Sequence, residues 1–395
     1  MAVTESISKR RSYDGPAIFE RGFRPFFFLA GIWAIIPLTL WISTYLGLIV
    51  PLTDINAQAW HSHEMIFGYA GAALAGFALT AIPNWTGRLP VRGNRLMLLA
   101  LLWLAARSLT VSTLFIDVSS FALAFEALFF IIFSALVFRE IFVGKNWRNM
   151  PVAIIFSLFG LVAILSSLSN MGIISSALNF DRAAIATLVL LISLIGGRIV
   201  PSFTENWLKQ QGAKDLPISF NRKDGIILVI TAATLVCWLT LPYDSFIVSV
   251  LATASCLLHV WRLSRWSGIA TFSEPLVAML HVAYLWIAIG FAMVALAALD
   301  IVSVSTAVHA WTTGAIASMT LAVMMRATLG HSGRALKADK ATTAVFSLIT
   351  LAAITRLIAA TLASTDLITA SAIFWIVGYL VYVVAYTPIF WNLKK

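Results

Sequence analysis

Residues 61–83 read HSHEMIFGYAGAALAGFALTAIP. From Met65 to Pro83 this stretch carries no charged side chain. A helix of that length is about 28 Å long, because each residue of an α-helix adds about 1.5 Å. The hydrocarbon core of a bilayer is about 30 Å thick. The stretch therefore predicts a helix that crosses a membrane.

The composition extends this prediction to the whole chain. Of 395 residues, 60% are hydrophobic and 11% are charged, and the mean hydropathy is +0.92. Soluble domains carry roughly 25% charged residues. The fold class predicted is an all-α integral membrane protein, a polytopic bundle of about twelve transmembrane helices. The predicted spans cover 26–49, 61–83, 95–116, 119–142, 151–169, 182–201, 225–241, 244–262, 275–298, 304–326, 341–364 and 368–391.

The basic residues predict the orientation of this bundle. A net charge of +10 would suggest a nucleic-acid partner in a soluble chain, but here Lys and Arg concentrate in the loops of one face. No nucleic-acid partner is therefore expected, and the lipid bilayer is the predicted environment. The positive-inside rule places both termini in the cytoplasm. It divides the chain into a cytoplasmic segment 1–24, a single helix bundle 25–391 with short loops and a cytoplasmic tail 392–395.

All six histidines lie inside the predicted spans or at their ends. Ionisable side chains at membrane depth are costly, and they usually face a bundle interior, a cavity or a cofactor. Imidazole is also a ligand of haem iron and of copper. The predicted orientation separates the histidines into two trios, which predicts two metal centres, one near each face. The outer trio is His61, His63 and His309, and the inner trio is His259, His281 and His331.

The spacing of His61 and His63 predicts that they face different neighbours. Residues two apart on a regular helix point about 200° apart, so one metal cannot easily take both imidazoles. One ring could bind a metal while the other meets a second centre or hydrogen-bonds a carboxylate. Glu64 and Met65 follow directly, as further ligands or as partners of a ligand. The alternative interpretation is a histidine pair solvated among the lipid headgroups.

Five charged residues at or within the spans have two interpretations each. Arg88, Arg198 and Arg326 lie at predicted cytoplasmic helix ends, where they either extend to the headgroups or bind the propionates of a haem. Arg107 and Glu126 lie at matching depth on neighbouring predicted helices. A structural ion pair is favoured for them over a proton path.

Six motifs in order carry a family resemblance. Together they are similar to the NnrS family of bacterial inner-membrane proteins, from about residue 20 to the end of the chain. The motifs are HSHEMIFG at 61–68, LTAIPNWTGR at 79–88, GGRIVPSFT at 196–204, LHVAYLW at 280–286, HA at 309–310 and MTLAVMMRATLGHSGR at 319–334.

The resemblance implies a multi-pass protein of the bacterial inner (cytoplasmic) membrane that contains haem and copper. The family is linked to denitrification and to tolerance of nitric oxide. The expected cofactors are one or two haem b groups and copper, since the chain has no CxxCH motif for covalent haem. His259 lies outside the motifs, so its assignment as a metal ligand rests on depth alone. The metal-ligand candidates within matching motifs are His61, His63, His281, His309 and His331.

The leading functional hypothesis is a haem and copper metalloprotein that binds nitric oxide at a buried centre. Whether it also reduces the gas, with a quinol as electron donor, is left open. Nitric oxide is small and apolar, so it partitions into bilayers, where a buried centre would meet it. Two other classes stay open: a non-catalytic sensor or assembly factor that binds metal, and a transporter of copper, haem or an anion. The sequence assigns no catalytic residue and leaves open whether the chain is an oxidoreductase.

Overall fold

Apolar runs of membrane-spanning length form long helices in the computed structural model, which describes residues 13–392. Twelve of these helices are long and apolar enough to cross a membrane, and no strand occurs among the described residues. The predicted fold class and the number of spans are confirmed. The helices are α1 Phe23–Tyr45, α2 Ala57–Thr86, α3 Asn94–Ser112, α4 Ser119–Val143, α5 Trp147–Asn170, α6 Phe180–Gln210, α7 Arg222–Thr240, α8 Phe246–Ser264, α9 Pro275–Ala297, α10 Val304–His331, α11 Lys340–Leu362 and α12 Thr365–Trp391.

The two ends of the bundle meet at one face. The guanidinium of Arg24, at the start of α1, donates hydrogen bonds to the carbonyl oxygens of Ile389 (2.7 Å) and Phe390 (3.0 Å) at the end of α12. We call this side the terminal face and the other side the opposite face. Even-numbered helices end at the terminal face. Its cytoplasmic location and the division into 1–24, 25–391 and 392–395 stay predictions, and much of both predicted end segments lies outside the described residues.

Most predicted span ends lie within five residues of the observed helix ends, and the end of α6 differs by nine. Two of these differences have a local cause. α2 begins at Ala57, because the Asn56 side chain accepts a hydrogen bond from the amide of Ala59 and caps the helix. α6 continues past Pro201 to Gln210, so the connection predicted over 202–224 is shorter. A proline within a helix removes one backbone hydrogen bond. Thr204 and Leu208 are buried beyond it, and their packing keeps the helix in place.

Two of the long helices change their winding beside a histidine. Glu64–Ala70 of α2 and Ala310–Ile316 of α10 are π-helical. They directly follow His63 and His309. Segments of this kind are rare, and they occur frequently at functional sites because they redirect side chains. A functional site is therefore expected on α2 and α10.

Reciprocal tryptophan–glycine contacts lock α9 against the π-helical segment of α10. A Cβ atom on Gly290 of α9 would lie 2.1 Å from ring atoms of Trp311. A Cβ atom on Gly314 of α10 would lie 2.6 Å from the ring of Trp286. Each indole therefore occupies the space that a glycine leaves open, and this contact fixes α10 relative to α9.

Gly290→Ala is expected to lower the free energy of unfolding by about 1–3 kcal/mol, because the added methyl group forces the Trp311 ring out of its place. Gly225→Ala in α7 is the matched control, since a Cβ there meets nothing within 4 Å. Alanine is the better helix former, so the control is expected to be neutral or stabilising by up to about 1 kcal/mol. Thermal unfolding in detergent measures both. Equal stability of the two variants would contradict the packing argument.

Candidate functional site

Two large cavities near opposite faces lie between α2, α6 and α10. The His309 cavity, of about 660 Å³, lies toward the opposite face, and the His331 cavity, of about 910 Å³, lies toward the terminal face. Cofactor pockets are typically about 300–1,000 Å³. The His309 cavity is lined among others by Trp41, His61, Met65, Arg182, His309, Arg356 and Trp375. The His331 cavity is lined among others by Phe77, Trp85, Phe203, Arg326, His331 and Lys337.

His309 is held in the tautomer that leaves its Nε2 atom free to bind a metal. Its Nδ1 atom lies 2.8 Å from the carbonyl oxygen of Ser305, one turn earlier in α10. A carbonyl oxygen only accepts, so Nδ1 carries the proton and donates it. The lone pair then lies on Nε2, which is the arrangement that metal-ligating histidines usually show.

His61 lines the same cavity from α2. Its ring is stacked on the Trp41 indole, with 4.3 Å between the ring centroids. Its buried Nδ1 atom has no hydrogen-bond partner among the described residues. The cavity thus receives one imidazole from α2 and one from α10, which belong to the two helices with π-helical segments.

Arg356 of α11 adds a cation to this cavity. One guanidinium nitrogen, Nη2, donates to the hydroxyl of Ser305 at 3.2 Å. The other, Nη1, is buried and has no partner in the described part of the chain. A buried donor without a partner costs about 1–3 kcal/mol, which a bound carboxylate would offset. Aromatic walls, an imidazole with a free nitrogen and an unpaired guanidinium donor together fit a haem.

Arg356 was not among the predicted site residues, although the sequence contains a signal for it. Arg356 lies within the predicted span 341–364. An ionisable residue inside a span is a functional candidate by default. Position along the span does not reveal that its side chain lines the same cavity as His61 and His309, since this depends on the packing of α11 beside α10.

The His331 cavity has a similar donor set with one imidazole. Arg326 is 7% exposed, and its guanidinium lies 4.3 Å from the centroid of the Phe203 ring. No hydrogen bond or ion pair of Arg326 is found within residues 13–392. His331 is the last residue of α10, and its ring centroid lies 5.9 Å from that of Phe23. Glu274 interacts with this cation electrostatically but forms no ion pair with it, so the buried guanidinium can still take an anionic ligand.

His63 points away from both cavities, into a buried group of charges that we call the His63 cluster. Its Nδ1 lies 3.0 Å from Glu64 and its Nε2 lies 3.1 Å from Glu126. Arg107 donates to Glu64 at 2.7 Å and also to Glu126. The predicted ion pair of Arg107 with Glu126 is confirmed, as is the prediction that His61 and His63 face different neighbours.

The His63 cluster has the contacts of an ion-pair network. The nitrogen and oxygen atoms of His63, Glu64 and Glu126 lie within 4.8 Å of one another, which is close enough for a metal ion. Arg107, however, already places its positive charge against both carboxylates. Both imidazole nitrogens face carboxylate oxygens, so a metal would have to displace a partner. A third cavity, of about 670 Å³, reaches His63 and Glu126 from the opposite face.

The structure does not bring the inner trio together. His259 meets hydroxyl groups with both ring nitrogens, those of Tyr284 at 2.9 Å and Thr231 at 3.0 Å. His281 Nε2 lies 2.8 Å from the hydroxyl of Thr204. His331 alone of the three lines the cavity near the terminal face. The role of these histidines as metal ligands stays a prediction.

The three arginines predicted as propionate partners are also separated. Arg88 donates to Glu140 at 2.5 Å, and Arg198 donates to Asn149 at 3.3 Å. Arg326 lines a cavity that also contains a histidine. Arg198 keeps its buried Nε without a hydrogen-bond partner among the described residues, but neither Arg88 nor Arg198 lines the His309 cavity or the His331 cavity.

The fold and these cavities define a class: a multi-pass helical membrane protein with two cavities, each lined by histidine and by a buried or half-buried arginine. The chain belongs to the NnrS family, because the family model described as NnrS protein matches residues 17–394, nearly the whole chain. A search of the curated proteins finds no match to this chain. Membership is consistent with a protein of the nitric oxide response, and the family is associated with metal binding.

Proposed function

We propose that the chain binds haem b in the His309 cavity and binds nitric oxide as part of the nitric oxide response of a bacterial inner membrane. His61 and His309 would supply imidazole to the iron, and Arg356 would bind a propionate. The observation that carries the proposal is the Nδ1–Ser305 bond of His309, which leaves Nε2 free inside a cavity of cofactor size. Bound haem would supply electron transfer or a site for the gas.

The His331 cavity is the second centre of this proposal. His331 would supply the one imidazole, and Arg326 would bind a propionate. A haem held by one imidazole keeps an open position, which two imidazoles would fill. The two-centre hypothesis from the sequence is supported by the positions of these cavities near opposite faces.

Copper is the further cofactor that family membership implies. His63, His259 and His281 are the candidates outside the two cavities. His281 keeps its buried Nδ1 without a hydrogen-bond partner among the described residues, whereas both ring nitrogens of His63 and His259 have partners. His281 is therefore the best supported of the three for copper.

The proposal is tested with protein purified in detergent. We expect sharp reduced α and β absorption bands and about stoichiometric iron, and metal analysis reports copper in the same sample. A colourless, metal-free preparation would contradict the proposal and favour a transporter.

A second measurement assigns the role of the bound metal. Anaerobic loss of nitric oxide with a quinol donor would make the chain an oxidoreductase with a role in denitrification. A spectral change on adding nitric oxide without its consumption would make the chain a non-catalytic sensor or a protective factor. The absence of any spectral change would overturn the nitric oxide assignment.

A further inference from the structure

We propose that a narrow apolar space between the two cavities is a site and passage for a small apolar gas. The identification of that gas as nitric oxide rests on the proposed function, while the existence of the site does not. The space has a volume of about 70 Å³ and lies between α2, α6 and α10. Its walls include Ala70, Ala73, Ile192, Gly196, Met319 and Val323.

Small side chains create this space. Ala70 and Ala73 of α2 face Gly196 of α6, where larger apolar residues would fill the interior. A Cβ atom on Gly196 would lie 3.5 Å from the Tyr284 ring and 3.6 Å from Met319 Cε, which is ordinary contact. The glycine is therefore not required by close packing, and the opening at this position is available to a ligand.

The chemistry of the walls selects an apolar ligand. A buried water needs two to four polar partners, whereas apolar cavities stay dry and bind molecules such as xenon. Thr320 carries the hydroxyl group in the lining, and it already donates to the carbonyl oxygen of Ile316 at 2.7 Å. Water and ions would therefore find few polar partners here. A small uncharged gas needs none, so it gives up few favourable interactions when it enters.

The position of the space makes it a passage. It shares the lining residues Ala70, Leu188 and Ile316 with the His309 cavity. It shares Phe77 and Val323, among others, with the His331 cavity. A gas molecule in this space would therefore border both cavities in which metal centres are proposed.

Xenon is the probe that tests the site without any metal. We expect xenon NMR of the full chain in detergent to show a saturable signal that empty micelles lack. Ala73→Leu, which places a larger side chain in the space, is expected to abolish it. Ala124→Leu on the exposed side of α4 is the matched control and is expected to keep it. No saturable signal in the unaltered protein, or an unchanged signal in Ala73→Leu, would overturn the proposal.

A second variant and a measurement on the cofactor-loaded protein complete the test. If Ala73→Leu does not fold, Gly196→Ala replaces it, because its methyl group fits without a clash and is expected to weaken the xenon signal. In the cofactor-loaded protein, Ala73→Leu is expected to slow the spectral response to nitric oxide several-fold without moving the bands. An unchanged rate would overturn the passage. A colourless protein that still binds xenon would overturn the proposed function and leave the gas site standing.

Discussion

His309→Ala is expected to abolish the haem absorbance that depends on the His309 cavity and to lower the iron content of the purified protein. The variant removes the imidazole whose Nε2 is free and whose Nδ1 is tethered to Ser305. A histidine fixed in this way is pre-oriented, and its loss would leave the proposed haem without the iron ligand expected from α10. The reduced absorption spectrum and metal analysis in detergent measure the effect.

His259→Gln is the matched control, since His259 is a buried histidine that bonds to Thr231 and Tyr284. It is expected to keep the haem bands, although the protein becomes less stable.

Arg356→Gln is expected to reduce haem occupancy and keep the band positions, because it removes a propionate partner and no iron ligand. Loss of the same bands in His259→Gln, or normal bands in His309→Ala, would contradict the proposed ligand assignment.

The parts of the fold that follow from local sequence could be predicted. Each span is a predominantly apolar run of about the thickness of a bilayer, so the number of helices follows from hydropathy alone. The opposite directions of His61 and His63 follow from the angle between neighbouring helical residues. The contact of Arg107 with Glu126 follows from equal depth on two consecutive helices.

The rest of the fold and the make-up of the candidate site depend on which helices, distant in sequence, become neighbours. α2, α6 and α10 lie together at the cavities, and no local pattern indicates this arrangement. The predicted depth in the membrane placed His259 and His281 in one trio with His331. Depth does not fix where a residue lies around the bundle, however. His259 and His281 instead form hydrogen bonds with hydroxyl groups outside the His331 cavity. The π-helical segments also escaped prediction, because no local sequence pattern marks them. One of them contains Gly314, which packs against Trp286 of the distant helix α9.

Arg107→Met is expected to lower the free energy of unfolding by about 3–5 kcal/mol, the usual cost of removing one partner from a buried ion pair. The side chains of Arg107, Glu64 and Glu126 are 1%, 0% and 2% exposed, so solvent cannot replace the lost charge. Methionine keeps much of the volume, which separates the effect of charge from that of packing. Unfolding in detergent by heat or by added dodecyl sulfate measures the change.

Arg139→Gln is the matched control, since the Arg139 side chain is 55% exposed where it pairs with Glu140 at 3.2 Å. Exposed pairs contribute about 0–1 kcal/mol, so this variant is expected to unfold almost as the unaltered protein does. Equal stability of Arg107→Met and Arg139→Gln would mean that the carboxylates do not need the guanidinium, and a bound metal ion would then be the better account of the His63 cluster. A large loss for Arg107→Met alone would establish the cluster as a structural network, because two carboxylates held together in the interior need a fixed cation.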